Sequence, residues 1–407
     1  MDVAIIGAGI GGLALALALN ERGIRARIYE QANELTEIGA AVALSANATR
    51  ELKRFGLLDD LLDVAVEPSE LIYRDGMTGD RLAAHPMHLG GHYQKRFGSP
   101  YLGIHRADLQ KIMGGAVGLK SIDLGHQLTE IESIGGAMRL HFAHQPPVEA
   151  DIVVGADGVR SVVRNFVTGG KAAVYSGTSA YRGIVPVERL PSLPDPRALQ
   201  FWVGKDAHML HYAIGRDGAA VNFFAVVEGP AEWDAKESWV VPTTLADALD
   251  GFPGWHAAIG EMIEAAEVDR RWGLFVAPPL RTWHKEGAVL LGDAAHAMLP
   301  HHGQGANTSI EDACFLAAIL ADIGRTNRDE GFKRYEKARM ARTRRVQRSS
   351  WAANDAFHTS LPEQVAKRQK YIENFPERFS WIHGYDVSTA IREQSLTQLQ
   401  GRSAADA

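Results

Sequence analysis

Val3-Ala4-Ile5-Ile6-Gly7-Ala8-Gly9-Ile10-Gly11-Gly12 is the stretch that decides the fold. Four apolar residues make a short buried strand, and Gly7 breaks it. Residues from about Ile10 to Arg22 are rich in Ala and Leu and predict a helix, which Gly23 stops. Arg25 to Tyr29 alternates as a second strand. The unit is therefore β-turn-α-β, with a crossover long enough for parallel pairing. Gly7, Gly9 and Gly12 satisfy G-x-G-x-x-G. In that pattern the first glycine makes the tight turn, the second lets a pyrophosphate approach the backbone, and the third lets the helix pack on the strand. The helix N-terminus favours negative phosphates. Glu30 ends the second strand 18 residues past Gly12, close to the spacing of a ribose-binding carboxylate.

Outward from this unit, the 407 residues are 46% hydrophobic and 23% charged, which excludes a disordered or collagen-like chain. A net charge of −6 speaks against a nucleic-acid partner. The single cysteine, Cys314, lies in the apolar run Ala313–Ala317, which rules out a disulfide framework and predicts a buried thiol in a reducing compartment. Val3 to Leu19 carries no charge, yet its only preceding charge is Asp2, four glycines interrupt it, and it starts at residue 3. The expectation is a soluble cytoplasmic protein with neither leader nor membrane span.

Four regions follow. Residues 1–174 form the nucleotide-binding domain, with a hairpin excursion at about 71–100. Residues 175–276 change to β-rich runs (Leu199–Val203, Met209–Ile214, Ala219–Val227) with helices after Thr243 and Trp255, and predict an inserted, mostly antiparallel substrate-binding sheet. Residues 277–351 return to the first domain, with helices from about Gly305 and Glu330. Residues 352–407 are a C-terminal helical segment with a short polar tail at Gly401–Ala407. The fold class is thus mixed α/β, Rossmann-like with an inserted sheet.

Two more strands run into acidic loops. Ile152-Val153-Val154 precedes Gly155-Ala156-Asp157-Gly158, and Ala288–Leu291 precedes Gly292-Asp293-Ala294-Ala295-His296. Each sets an Asp at the carboxyl end of a parallel-type strand, where open α/β sheets bind ligands. Asp293 stands 281 residues after Gly12, so the nucleotide is held from both ends of the chain. That arrangement suits a long embedded cofactor such as FAD better than NAD. Gly303-Gln304-Gly305-Ala306-Asn307 opens a further helix whose start favours an anion.

On these three motifs, the sequence resembles the FAD-dependent aromatic hydroxylases over nearly its whole length. It is most similar to their salicylate, 3-hydroxybenzoate and 6-hydroxynicotinate branches. Tyr175-Ser176-Gly177, Tyr181-Arg182-Gly183, Ala295–His301 and Arg345–Trp351 add to the likeness, and Ala297 departs from a common Pro. The resemblance implies hydroxylation of a small phenolic or hydroxy-heteroaromatic acid through a flavin C4a-hydroperoxide, consuming molecular oxygen and NADH or NADPH. It implies that Glu30 binds the adenosine ribose and that Arg106 contacts the phosphate–ribityl region. Asp157 and Gly158 would serve FAD and the approach of the nicotinamide. Asp293 would hold the ribityl chain, and the amides of Gly303, Gly305, Ala306 and Asn307 would face the pyrimidine end of the flavin.

On the substrate side, a phenol near pKa ~10 needs a base at neutral pH, and a neutral histidine suits. In His208-Met209-Leu210-His211-Tyr212, strand alternation places His208, Leu210 and Tyr212 on one face. His208 is the expected base, with Tyr212 and His301 assisting; all three match substrate-side positions of the family. Arg182 is a candidate carboxylate clamp. No metal is expected at His296, His301 and His302, because no carboxylate ligand has suitable spacing. Lys333 to Arg348 carries eight basic residues in sixteen, read as a solvated helix face. A flavin halogenase or reductase and a non-catalytic flavin protein are the other readings; the Trp-x-Trp-x-Ile-Pro run of many halogenases is missing. Symmetry priors allow a monomer or a homodimer.

Overall fold

The structure is a computed structural model that describes residues 1–35, 41–233, 235, 238–323 and 327–394. The polar tail expected at Gly401–Ala407 lies outside the described residues. The opening unit forms as its pattern predicts: strand Val3–Ile6, helix Ile10–Asn20 and strand Ala26–Tyr29. Val3–Ile6 lies at the middle of a six-stranded sheet. It pairs in parallel with Ala26–Tyr29 on one side and with Ile152–Gly155 on the other. Ile152–Gly155 pairs in turn with Ala288–Leu290, again in parallel. Val3–Ile6, Ile152–Gly155 and Ala288–Leu290 are apolar throughout because the sheet is covered by the helices Ile10–Asn20 and Gln304–Ile323 and by a three-stranded antiparallel sheet of Leu128–Ile134, Ala137–Phe142 and Val148–Ala150, all in one core. The helices Ile10–Asn20 and Gln304–Ile323 pack along each other in the same core.

The consequence for the site is positional. Four neighbouring parallel strands end at Ile6, Tyr29, Gly155 and Leu290, so the loops carrying Gly7–Gly9, Glu30, Asp157 and Asp293 emerge side by side at one sheet edge.

The second sheet has eight strands and is antiparallel except where Leu199–Val203 runs parallel to Glu70–Asp75. Its backbone is the long strand Val174–Pro186, followed by Ala220–Glu228 and Ala207–Ile214. The hairpin Glu70–Asp75 and Arg81–Pro86 completes one edge, so a segment from the first hundred residues extends the inserted sheet. A two-stranded ribbon, Ala41–Leu44 with Leu102–His105, packs on strand Ala207–Ile214 and on helix Gln304–Ile323 and lends Ala43 to two cavities. The helix Arg328–Phe357 packs through Phe332 and Tyr335 into the core of the parallel sheet and through Ala353 and Phe357 into a second core with Tyr73 and Phe201 of the eight-stranded sheet.

One sequence expectation fails here. The basic helix is not a wholly solvated face: Arg339 is fully buried and Arg342 nearly so. Arg339 donates to Asp312 at 2.7 Å and to Glu311 at 2.6 Å, and Arg342 pairs with both oxygens of Glu311 at 2.6 Å. Buried carboxylates on the apolar helix Gln304–Ile323 require paired cations, and these arginines supply them.

Candidate functional site

Two adjoining cavities share the walls Ala43, Leu210 and Gly303. The larger, about 770 Å³, runs along the sheet edge and over the inserted sheet. Gly7, Gly9, Glu30, Arg106, Asp157, Gly158, Asp293, Gly303, Gly305 and Ala306 all line it, as does Tyr212. Residues drawn from positions 7 to 306 therefore meet on one surface.

The glycines divide their work as their spacing implies. A Cβ on Gly12 would stand 2.0 Å from the Gly7 carbonyl oxygen, so this glycine permits helix and strand to touch. Gly7 has φ +102°, and a Cβ there would meet the Ala156 carbonyl at 2.5 Å. At Gly9 a Cβ would meet nothing within 4 Å; the space over its backbone is open to a ligand.

The three acidic residues differ. Glu30 accepts from the amides of Ala8 and Ala32, both at 2.8 Å, which fixes its carboxylate beside the glycine turn. Asp157 accepts from the Ser161 hydroxyl and from the amides of Val162 and Val163, so it caps the following helix while lining the cavity. Burial raises its pKa, against the opposing pull of Ser161 and those amides. Asp293 is the one left open: among the described residues its carboxylate makes no hydrogen bond or ion pair, and it lies 3.8 Å from where a Cβ of Gly305 would be. An unengaged carboxylate facing a long cavity beside a helix start fits a polyol-linked dinucleotide. Asn307 is occupied otherwise. Its side chain accepts from the Ser45 amide and donates to the carbonyls of Ala43 and Gly303, tying the ribbon to the helix start.

The smaller cavity, about 440 Å³, is lined by Tyr93, Tyr101, Phe201, Phe375 and Phe379, with His301 and His302 next to the shared Gly303 and Lys95 and Arg96 also on its wall. Burial pushes His302 down to about 4. His301 is held well below the ordinary histidine value by burial, then by His358 and His302; Asn354 stands near its ring but outside hydrogen-bonding geometry. Tyr212 is also buried, which pushes its hydroxyl above the ordinary tyrosine value.

Strand alternation holds on Ala207–Ile214. Leu210 and Tyr212 face the large cavity, while Met209 packs in the core behind the sheet. His208 shares the first face but lies beyond the cavity walls; among the described residues it lines neither cavity. It packs edge-to-face on His301 at 4.8 Å and hydrogen-bonds His358. Arg182 stacks on Trp272 at 4.4 Å and lines the large cavity, apart from the aromatic one.

Some elements of the site had no local signature. The aromatic walls come from segments near 93–101, 201 and 375–383, and only their hydrophobicity is visible in sequence. Glu311 and Asp312 did leave a signal, as two acids inside an apolar helix.

The FAD binding domain family profile matches residues 1–350. A 3-amino-4-hydroxybenzoate 2-monooxygenase of Streptomyces platensis is 35% identical, covering 95% of this chain and 96% of the relative. The chain belongs to the family of FAD-dependent aromatic monooxygenases. A 6-hydroxynicotinate 3-monooxygenase of Pseudomonas fluorescens is likewise 35% identical, over 95% of each chain. A salicylate hydroxylase substrate complex superposes with a TM-score of 0.82 at 26% identity, covering 96% of this chain and 97% of that one. The Rossmann-like fold with an inserted sheet and the FAD requirement follow from this membership. Among the described residues, no helix is long and apolar enough to cross a membrane.

Proposed function

We propose that this monooxygenase hydroxylates a small phenolic or hydroxy-heteroaromatic acid, of the salicylate, hydroxybenzoate or hydroxynicotinate type, with FAD, NAD(P)H and molecular oxygen. The observation that carries the reading is the shared wall. A cavity of about 770 Å³ lined from Gly7 to Ser309 and a compact aromatic-lined cavity meet at Ala43, Leu210 and Gly303. FAD bound in the first supplies hydride acceptance and oxygen activation to a ring held in the second.

The chain's own residues then have separate tasks. Gly7, Gly9 and Gly12 shape the pyrophosphate turn, Glu30 takes the ribose, Arg106 the phosphate–ribityl region, and Asp293 the ribityl hydroxyls. The amides from Gly303 to Asn307 open a twenty-residue helix whose dipole favours negative charge on the ring edge they face. Tyr, Phe and His rings exclude water around the substrate. Lys95 and Arg96 offer cationic partners for its carboxylate; Arg96 also meets Glu377 at 2.9 Å. Neutral His301 is the lone-pair carrier on the cavity wall, backed by His208, and Tyr212 stays a hydroxyl donor. The single buried Cys314 fits a reducing compartment such as the cytoplasm.

A panel of hydroxybenzoates, aminohydroxybenzoates and hydroxypyridine carboxylates tests this, scored by substrate-stimulated NADH or NADPH oxidation, product mass and carbon dioxide release. A hydroxylated product from at least one acid is expected. Reduced-nicotinamide oxidation that no member stimulates would overturn the reading.

A further inference from the structure

The residues behind His301 form a line that neither cavity explains. His208 Nδ1 lies 2.6 Å from His358 Nε2, and His358 Nδ1 lies 2.5 Å from Glu228 Oε1. His208 and His358 are buried, whereas the Glu228 side chain is 46% exposed and lines a broad surface basin with His358, Asp206 and Arg368. At the inner end, the two nitrogens of buried His301 have no hydrogen-bond partner among the described residues, and its ring meets His208 edge-to-face at 4.8 Å. The line therefore runs from the aromatic cavity wall to solvent. It draws on the loop at His301, strands Ala207–Ile214 and Ala220–Glu228, and the end of helix Arg328–Phe357.

With both imidazoles uncharged, its hydrogen bonds have one polarity. A carboxylate only accepts, so His358 Nδ1 carries the proton given to Glu228. With His358 as an uncharged imidazole, the lone pair is at Nε2 and His208 donates to it from Nδ1. That leaves the lone pair of His208 on Nε2. A carboxylate thus selects the basic tautomer of a histidine through a second histidine, by the same logic that orients a catalytic imidazole in a hydrolase triad.

We infer that Glu228 and His358 complete a proton exit path, His301–His208–His358–Glu228, which carries the phenolic proton of bound substrate to solvent. The inference rests on the phenolic substrate proposed above. The balance is simple. The substrate O–H bond breaks, an N–H bond forms on His301, and one proton passes along the line while one leaves at Glu228; no electrons move between groups. The His301–His208 junction is a ring contact, so passage there takes a rotation of the His301 imidazole. His358 and Glu228 are positioning and relay residues, since neither touches the cavity. Burial keeps His208 neutral, aided by His301 and His358, so it receives a proton only in transit.

The test uses the FAD-loaded enzyme and the chromogenic acid 4-hydroxy-3-nitrobenzoate, bound at low pH and jumped to high pH in a stopped-flow instrument. In Glu228→Gln and His358→Ala, ionisation of the bound probe should slow by about 10²-fold, in line with the usual contribution of general acid–base groups. Probe affinity should be unchanged, and added imidazole should restore the His358→Ala rate. Flavin-loaded variants that ionise the probe at the wild-type rate would overturn the path. A second arm needs no phenol: nitrogen-15 histidine spectra, with His208 assigned by His208→Gln, should show Nδ1 protonated and Nε2 bare. A proton on His208 Nε2 would overturn the path as well. Failure of the wild type to take up any phenol would instead overturn the substrate reading, leaving the path to be decided by the tautomer.

Discussion

His296 Nε2 lies 2.5 Å from Asp312 Oδ2, and the same oxygen accepts from the Gly292 amide at 3.2 Å. The loop that presents Asp293 is thereby fastened at two points to the helix that presents Gly305. Asp312 is itself held by Arg339 through its other oxygen. Asp293, on the wall of the larger cavity, is thus carried by a loop anchored to a buried ionic cluster.

Breaking that cluster should destabilise the protein strongly. Arg339→Met leaves Glu311 and Asp312 buried with fewer partners, and the expected loss is about 3–5 kcal/mol, read as a lower urea midpoint of the flavin-free protein. Burial alone would raise both carboxyls. Arg342 and Arg339 outweigh it at Glu311, and His296 and Arg339 outweigh it at Asp312, so both lie below their ordinary values. Their contribution is therefore complete above the ordinary carboxylate range, about pH 4, and is lost as pH falls through the lower folded values. Arg339→Met should flatten that acid limb of stability.

Gly9 and Gly12 should separate binding from folding. Gly12→Ala drives a Cβ into the Gly7 carbonyl at 2.0 Å, so the opening unit must deform and soluble yield should collapse. Gly9→Ala meets nothing within 4 Å. Its flavin-free stability should match the wild type, while FAD affinity drops by about tenfold, or about 1.4 kcal/mol, because the methyl fills space left for the pyrophosphate. Flavin titration and thermal melts of both variants check the split.

The acid limb of catalysis should follow buried His301, while buried Tyr212 leaves the pH profile unmoved. His301 lies below the ordinary histidine value, so its lone pair persists as pH falls through about 6.5, and the acid limb of kcat/KM should lie lower than that. Tyr212 is pushed the other way and stays protonated at alkaline working pH. Tyr212→Phe should lower the hydroxylation rate about tenfold, the worth of one hydrogen bond of about 1.4 kcal/mol, without moving either limb. A shifted alkaline limb in the variant would contradict the donor role.

Much of this was legible in the chain because its signals are local. An apolar run of three or four residues followed by glycine marks a strand end, and Val3–Gly7, Ile152–Gly155 and Ala288–Gly292 each carry that mark. Asp293 stands directly after such an end, and Glu30 directly after the second strand. The strand period placed Leu210 and Tyr212 on the ligand side. It could not show that His208, two residues earlier, is covered by His301, Phe357 and His358, because those neighbours come from about 90 to 150 positions away. Arg339 was hidden for a similar reason. A basic helix reads as solvated until its acidic partners on a second helix are known.

The central claim is that the two ends of the chain close around one flavin, held at the ribityl stem by Asp293. The most direct measurement is the FAD dissociation constant of Asp293→Ala beside the wild type, by flavin fluorescence on refolded or stripped protein. The expected outcome is a yellow wild type and a variant that keeps its fold but binds FAD about 10- to 100-fold more weakly, the worth of a hydrogen bond to a charged group. A variant that binds FAD as tightly as the wild type, or a wild type that takes up none, would contradict it.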